Sequence, residues 1–156
     1  MSGREYPERP MVGVGAVIVG PAGVLLIKRG KPPNAGSWSL PGGAQKLGES
    51  IETCAHREVL EETGLTISII GLIDVVDSIR SDENNLIRYH YTLIDFAATV
   101  LGGNLQAGGD AAGVCWFGRK DITALDLWSE TRRIIGLATA MYDQQSNRVS
   151  AQPTAP

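Results

Sequence analysis

Residues 43–65 read GAQKLGESIETCAHREVLEETGL. The second half of this stretch predicts a helix over 50–63, with Ser50 as the N-cap and Gly64 as the residue that stops it. Within it the charge lies on an unusual side. With Glu58 at zero on a wheel of about 100° per residue, Glu62 falls near +40° and Glu61 near −60°, while Ile51 falls near +20° and Ala55 near +60°. Val59 falls near +100° and Cys54 near −40°, so Glu58 and Glu62 project along the apolar stripe and Glu61 lies at its edge. An ordinary amphipathic helix keeps its carboxylates on the opposite face. Two bare carboxylates about 4 Å apart repel by roughly 4 kcal/mol at an effective dielectric of 20. A divalent cation is the natural compensation, and hard Mg²⁺ prefers carboxylate and phosphate oxygen. The plain alternative is a charged helix end facing solvent.

The rest of the chain sets the surroundings. Its 156 residues suit one domain with a core of its own, and 43% hydrophobic with 20% charged residues is globular composition. Net charge is −3, and residues 49–62 hold five glutamates against Arg57 alone. With no basic run, non-specific nucleic-acid binding is not expected. No apolar run approaches the roughly 20 residues of a membrane span, and the first ten residues carry no signal-peptide core. Cys54 and Cys115 are far apart and have no metal-ligand spacing, which points to a reducing, cytoplasmic setting.

Val12–Val19 and Val24–Arg29 predict a hairpin across the Gly20–Gly23 turn. Residues 30–36 predict a loop, and Trp38–Gly43 a short extended piece ending in a Gly-Gly turn. A strand is expected over 65–76 with a break at Gly71, then a polar loop over 78–85 and a long strand over 86–100. Residues 101–113, with five glycines, predict another loop before a short strand at 114–117. A second helix is expected over 129–142. Residues 1–10 read as a flexible arm, 11–142 as the domain, and 143–156 as a disordered tail.

Gly43, five residues, Glu49, seven residues, then Arg57-Glu58-Val59-Leu60-Glu61-Glu62-Thr63-Gly64-Leu65 resembles the Nudix box, the signature of the Nudix hydrolases, at every defining position. The Trp38-Ser-Leu-Pro-Gly-Gly43 approach and the strand ending Cys115-Trp116-Phe117 extend the resemblance over roughly residues 11–140. It implies an α/β (α+β) fold, a mixed β-sheet sandwiched between helices. It also implies an enzyme that hydrolyses a nucleoside diphosphate linked to another moiety, with Mg²⁺ or Mn²⁺, as a monomer or homodimer. Carried onto this chain, the resemblance makes Glu58 and Glu62 the leading metal ligands. Glu61 becomes a third ligand or a proton acceptor, and the Gly42 carbonyl a further oxygen ligand. Arg57 and Glu49 resemble the pair that braces the loop against the helix, while Gly43 and Gly64 supply backbone freedom. Lys46 stands where many relatives carry an acid, so no extra ligand is expected there.

The general base stays open between the box and a later loop, where Asp110 is the only acid. Arg29 and Arg88 are candidate phosphate cations, and Trp38 a candidate stacking residue; each also suits a strand edge or the core. Arg88-Tyr-His-Tyr91 and Asp95-Phe96 on the long strand resemble the ADP-ribose pyrophosphatase type, so ADP-ribose or a related nucleotide sugar is the preferred substrate. The alternatives are a MutT-like triphosphatase clearing damaged dNTPs and a non-catalytic nucleotide-binding domain.

Overall fold

The computed structural model describes residues 3–151. The elements are β1 (Met11–Gly20), β2 (Gly23–Arg29), β3 (Trp38–Ser39), β4 (Gly42–Ala44), α1 (Ile51–Thr63), β5 (Leu65–Ser81), β6 (Ile87–Gly103), β7 (Ala111–Phe117), α2 (Arg119–Ile122) and α3 (Ser129–Ala151). Seven strands form one mixed sheet with the path β3-β2-β1-β6-β5, with β4 also pairing β1 and β7 pairing β2. β1 and β6 run parallel, with Gly13 opposite Leu93 and Gly15 opposite Asp95. The other pairings are antiparallel.

The central strand β1 is covered on both faces and reads as a near-continuous apolar run for that reason. Its alternate residues feed two cores. Val14, Ala16 and Ile18 pack with Cys54, Ala55 and Val59 of α1, whereas Val17 and Val19 pack with Ile134, Ile135 and Ala138 of α3. The arrangement is therefore the expected helix–sheet–helix sandwich.

Helix α1 starts and stops where its end residues dictate. The Thr53 N–H donates to the Ser50 hydroxyl (3.1 Å), satisfying one free donor of the first turn. Gly64 takes the left-handed conformation (φ 76°) and its N–H donates to the Leu60 carbonyl. The glycine-rich loop after β6 then crosses this end: Gln106 N–H donates to Thr63 O (2.9 Å) and Gly108 N–H to Glu62 O (3.2 Å).

Several expectations need correction. β5 does not stop at Val76 or break at Gly71; it runs to Ser81 and absorbs the irregularity near Gly71 as a shift of register against β6. The loop expected over 78–85 shrinks to residues 82–86. There the Asp82 carboxylate accepts the N–H groups of Asn84 (2.8 Å) and Leu86 (3.0 Å). Ladder pairing with β6 overrides the polar composition of this stretch. β6 continues to Gly103 and β7 begins at Ala111, so the loop expected over 101–113 is also shorter.

Helix α3 passes the 142 boundary and continues through Ala151; of the expected disordered tail, residues 152–156 lie outside the described residues. Asp143, the first residue past that boundary, forms a forked ion pair with Arg119 (2.7 and 2.9 Å). The N-terminal arm is likewise tied down. Tyr6 N–H donates to the Arg88 carbonyl (2.8 Å) and its hydroxyl to Asp82 (2.9 Å). Glu5 accepts from Arg88 (2.8 Å) and from the Tyr89 hydroxyl (2.6 Å). Residues 1 and 2 of the arm lie outside the described residues.

Candidate active site

A cleft of about 740 Å³ opens beside the end of α1. Its walls include Gly42, Gly43, Arg57, Glu58, Glu61 and Glu62 on one side and Trp38, Leu127, Trp128 and Ile134 on another. The helix wheel sets Glu61 apart from Glu58 and Glu62, and exposure follows that division. Glu62 is 4% exposed, the Glu58 side chain 15% and the Glu61 side chain 48%.

Glu62 is anchored by the backbone of β4, where the Gly42 N–H donates to its Oε1 (2.8 Å). Burial pushes the Glu62 carboxyl up to about 7, the Gly42 hydrogen bond opposes this, and the neighbouring Glu58 charge adds to it. Gly43 leaves room for Glu58: a Cβ there would lie 2.5 Å from the carboxylate. No side chain other than hydrogen fits that position without displacing Glu58.

Arg57 organises the acids. Its Nε and Nη2 grip the two oxygens of Glu49 (2.6 and 2.9 Å), and Nη2 also donates to the Ala44 carbonyl (3.2 Å). Its Nη1 donates to Glu58 (2.7 Å) and reaches Glu61 (3.3 Å). Glu49 in turn accepts the Lys46 N–H (3.0 Å), so the guanidinium joins the loop before α1, strand β4 and the helix itself. The Arg57 hydrogen bonds hold the Glu49 carboxyl down at about 2, and the Glu49 carboxylate raises the Arg57 guanidinium in return. Burial pushes the neighbouring Cys54 thiol up to about 12, so Cys54 is an inert core residue.

Among the described residues, no three His, Cys, Asp or Glu side chains converge as a ready metal cage. Arg57 partly supplies the positive charge that the carboxylates need. The donor chemistry nevertheless fits a hard cation: three carboxylates share one end of a helix, one of them is buried with its proton affinity raised by burial and further by the Glu58 charge, and all three face the cleft. The Gly42 carbonyl belongs to the same strand residue that holds Glu62.

Among the substrate candidates, Arg29, Trp38 and Asp110 line the cleft, whereas Arg88 does not. The Arg88 guanidinium pairs with Glu5 and lies 5.6 Å over the Tyr89 ring, so its neighbour Tyr89 faces the cleft in its place. Asp110 is paired with Lys31 at the rim (2.8 Å), which holds its carboxyl below the usual range. Trp38 packs edge-to-face on Phe117 with centroids 5.0 Å apart, serving the core and the cleft together. The wall also contains Arg4, Arg80, Asp95 and Trp128. Arg4 reaches it through the docked arm, for which the sequence carries no periodic signal. Asp95 is legible as an acid flanked by apolar residues of a long strand, although its position over the cleft is set by pairing.

The NUDIX domain matches residues 9–137. An ADP-ribose pyrophosphatase of Methanocaldococcus jannaschii is 37% identical over 116 residues, covering 74% of this chain and 66% of that protein. A putative 8-oxo-dGTP diphosphatase of Bacillus subtilis is 37% identical over 95 residues, covering 60% of this chain and 56% of that protein. The chain thus spans between about half and two thirds of the length of these two relatives. The crystal structure of a MutT NUDIX hydrolase from Burkholderia pseudomallei superposes with a TM-score of 0.71 at 32% identity, covering 83% of this chain and 98% of that one. A box complete from Gly43 to Leu65, folded as a braced loop and helix at the mouth of a cleft, agrees with these matches, and the chain belongs to the NUDIX domain family.

Proposed function

We propose that this protein is a metal-dependent pyrophosphohydrolase acting on a nucleoside diphosphate linked to another moiety, with ADP-ribose as the preferred substrate. The observation that carries the reading is the Arg57-braced set of Glu58, Glu61 and Glu62 at the edge of a cleft of nucleotide size. The similarity to a protein named ADP-ribose pyrophosphatase supports the choice of substrate.

Glu58, Glu61, Glu62 and the Gly42 carbonyl are the proposed holders of Mg²⁺ or Mn²⁺. Such an ion would supply charge neutralisation on the pyrophosphate and would make a bound water more acidic. The chain's own residues orient and exchange protons. Gly42 N–H fixes Glu62, Gly43 makes room for Glu58, and Arg57 fixes the helix against the loop. Glu61, the most exposed of the three acids, is the proposed acceptor of the water proton. The water oxygen forms a bond to one phosphorus, the bond from that phosphorus to the bridging oxygen breaks, and the leaving phosphate departs with that oxygen. Arg29 at the inner wall is the proposed cation for the substrate's phosphates. Two free thiols, Cys54 and Cys115, support a reducing cytoplasmic location.

The test is hydrolysis of a panel of ADP-ribose, nucleoside diphosphate sugars, dinucleoside polyphosphates and normal and oxidised dNTPs, with Mg²⁺ and with EDTA. Metal-dependent release of AMP from ADP-ribose is the expected result. Turnover of oxidised dGTP with none of ADP-ribose would favour the second reading, a MutT-like triphosphatase, which the Bacillus subtilis relative supports.

A further inference from the structure

The cleft extends beyond the carboxylates of α1 onto the face of the sheet that α3 covers. There Gly13 and Gly15 of β1 stand opposite Leu93 and Asp95 of β6, whose side chains lie over the two glycines. Asp95 is 6% exposed, and its carboxyl leans over Gly15: a Cβ on Gly15 would lie 2.5 Å from Asp95 Oδ1. Gly15 is also the register partner of Gly42. The carboxyl therefore lies over the strand next to the one that anchors Glu62, and neighbouring strands are about 4.8 Å apart.

Among the described residues the Asp95 carboxyl takes no hydrogen bond from the protein, and since every fully enclosed side-chain polar atom has a partner, its oxygens open into the cleft. The charged groups around it are Asp74, its register partner on β5, and Arg133 of α3. Arg133 is engaged elsewhere, donating to Asp74 (2.9 Å) and to Glu130 (2.7 Å). The cleft lining includes Val76, Tyr91, Leu93 and Trp128 together with Ser78, Arg80 and Thr131. A largely buried acid without internal donors must take them from whatever fills the cleft. Burial pushes its carboxyl up to about 6, so it is largely ionised at neutral pH and offers two acceptor oxygens.

We propose that Asp95 is a substrate-binding residue that sets specificity: its carboxyl, laid over Gly15 in the cleft that also holds the α1 carboxylates, accepts a pair of hydrogen-bond donors from the non-phosphate part of the nucleotide. This inference rests on the nucleotide-hydrolase reading of the same cleft. The donors come from one of two sources, the nucleoside half of the substrate or the terminal ribose half. Both present neighbouring N–H or O–H groups, and a carboxylate can take two at once.

The two halves can be probed apart. Binding of AMP and of ribose 5-phosphate is measured by calorimetry with Mg²⁺ present, in the wild type and in Asp95→Asn, with Asp95→Ser as the second variant if Asn does not fold. Melting temperatures are recorded alongside. Loss of at least tenfold in affinity for AMP alone assigns Asp95 to the nucleoside; the same loss for ribose 5-phosphate alone assigns it to the sugar. In either case the variant should melt no lower than the wild type, because no internal hydrogen bond is lost. Unchanged affinities in a folded variant overturn the proposal, as does a wild type that binds neither probe. ADP-ribose turnover by the wild type is scored separately. AMP binding without ADP-ribose turnover would sink the substrate reading while leaving the role of Asp95 to the affinity comparison.

Discussion

Glu62 Oε1 accepts the backbone N–H of Gly42 at 2.8 Å, which ties the buried end of α1 to the first residue of β4. The bond needs only an acceptor oxygen, whereas the proposed metal role needs charge. Glu62→Gln keeps the acceptor and removes the charge. Turnover should fall by about 10³-fold or more, with a melting temperature equal to or above that of the wild type. Steady-state kinetics and thermal melts on the same preparation check this, and near-normal turnover would remove Glu62 from the chemistry.

Arg57 serves five groups at once: Glu49, Glu58, Glu61, the Ala44 carbonyl and the Cys54 sulfur. Arg57→Ala should therefore lower both stability and activity, the latter by about 10–100-fold, as for residues that orient metal ligands. Arg57→Lys should recover stability only in part, since an ammonium cannot reproduce the fork on Glu49. Denaturant melts and kcat measurements separate the two effects. Lost activity with an unchanged melting temperature would contradict the bracing role.

Gly43→Ala tests the close approach of Glu58. The new methyl would meet the carboxylate at 2.5 Å, so Glu58 must swing away. Because about 1 Å of misplacement can cost roughly 10²-fold in rate, activity should drop by at least tenfold while the helix content seen by circular dichroism stays the same. Wild-type activity would show that Glu58 is free to move without consequence.

Asp95 gives a pH signature independent of activity. Its carboxyl is raised to about 6 in the fold, against about 3.9 in an unfolded chain. Below about pH 4 both states hold the proton and there is no penalty. Between about pH 4 and 6 the unfolded chain releases it first, so stability falls as pH rises, and the loss levels off above about pH 6. The shift corresponds to about 2–3 kcal/mol at neutral pH. Asp95→Asn removes this slope, so the melting temperature of the variant relative to the wild type should rise from pH 4 to pH 6.5. A constant difference across that range would show that the Asp95 carboxyl titrates at its ordinary value.

What could be read in the chain was mostly local. Ser50, Gly64 and the 3.6-residue period fix the ends and the faces of α1, and with them the greater exposure of Glu61 relative to Glu58 and Glu62. Those features depend on neighbours within one or two helical turns. The first hairpin is legible for a similar reason, because its strands meet across a two-residue turn. The length of β5 and β6 was not, since residues 77–81 and 101–103 are polar or glycine-rich and become strand only because a ladder forms across the hairpin. The arm over Arg88 and the extension of α3 to Ala151 rest likewise on contacts between distant residues or on continuation past the apolar pattern.

The sequence by itself determined the proposed reaction apparatus: three acids on one face of a capped helix, a glycine before them, and an arginine spaced to reach them. Tertiary structure decided what else the cleft contains. Asp95 lines the same cleft as the carboxylates only because β6 pairs parallel to β1 in the register that sets it against Gly15, eighty positions away in the chain. Helical placement follows from a local period, but strand register is chosen by the whole sheet at once, and no local pattern carries that choice.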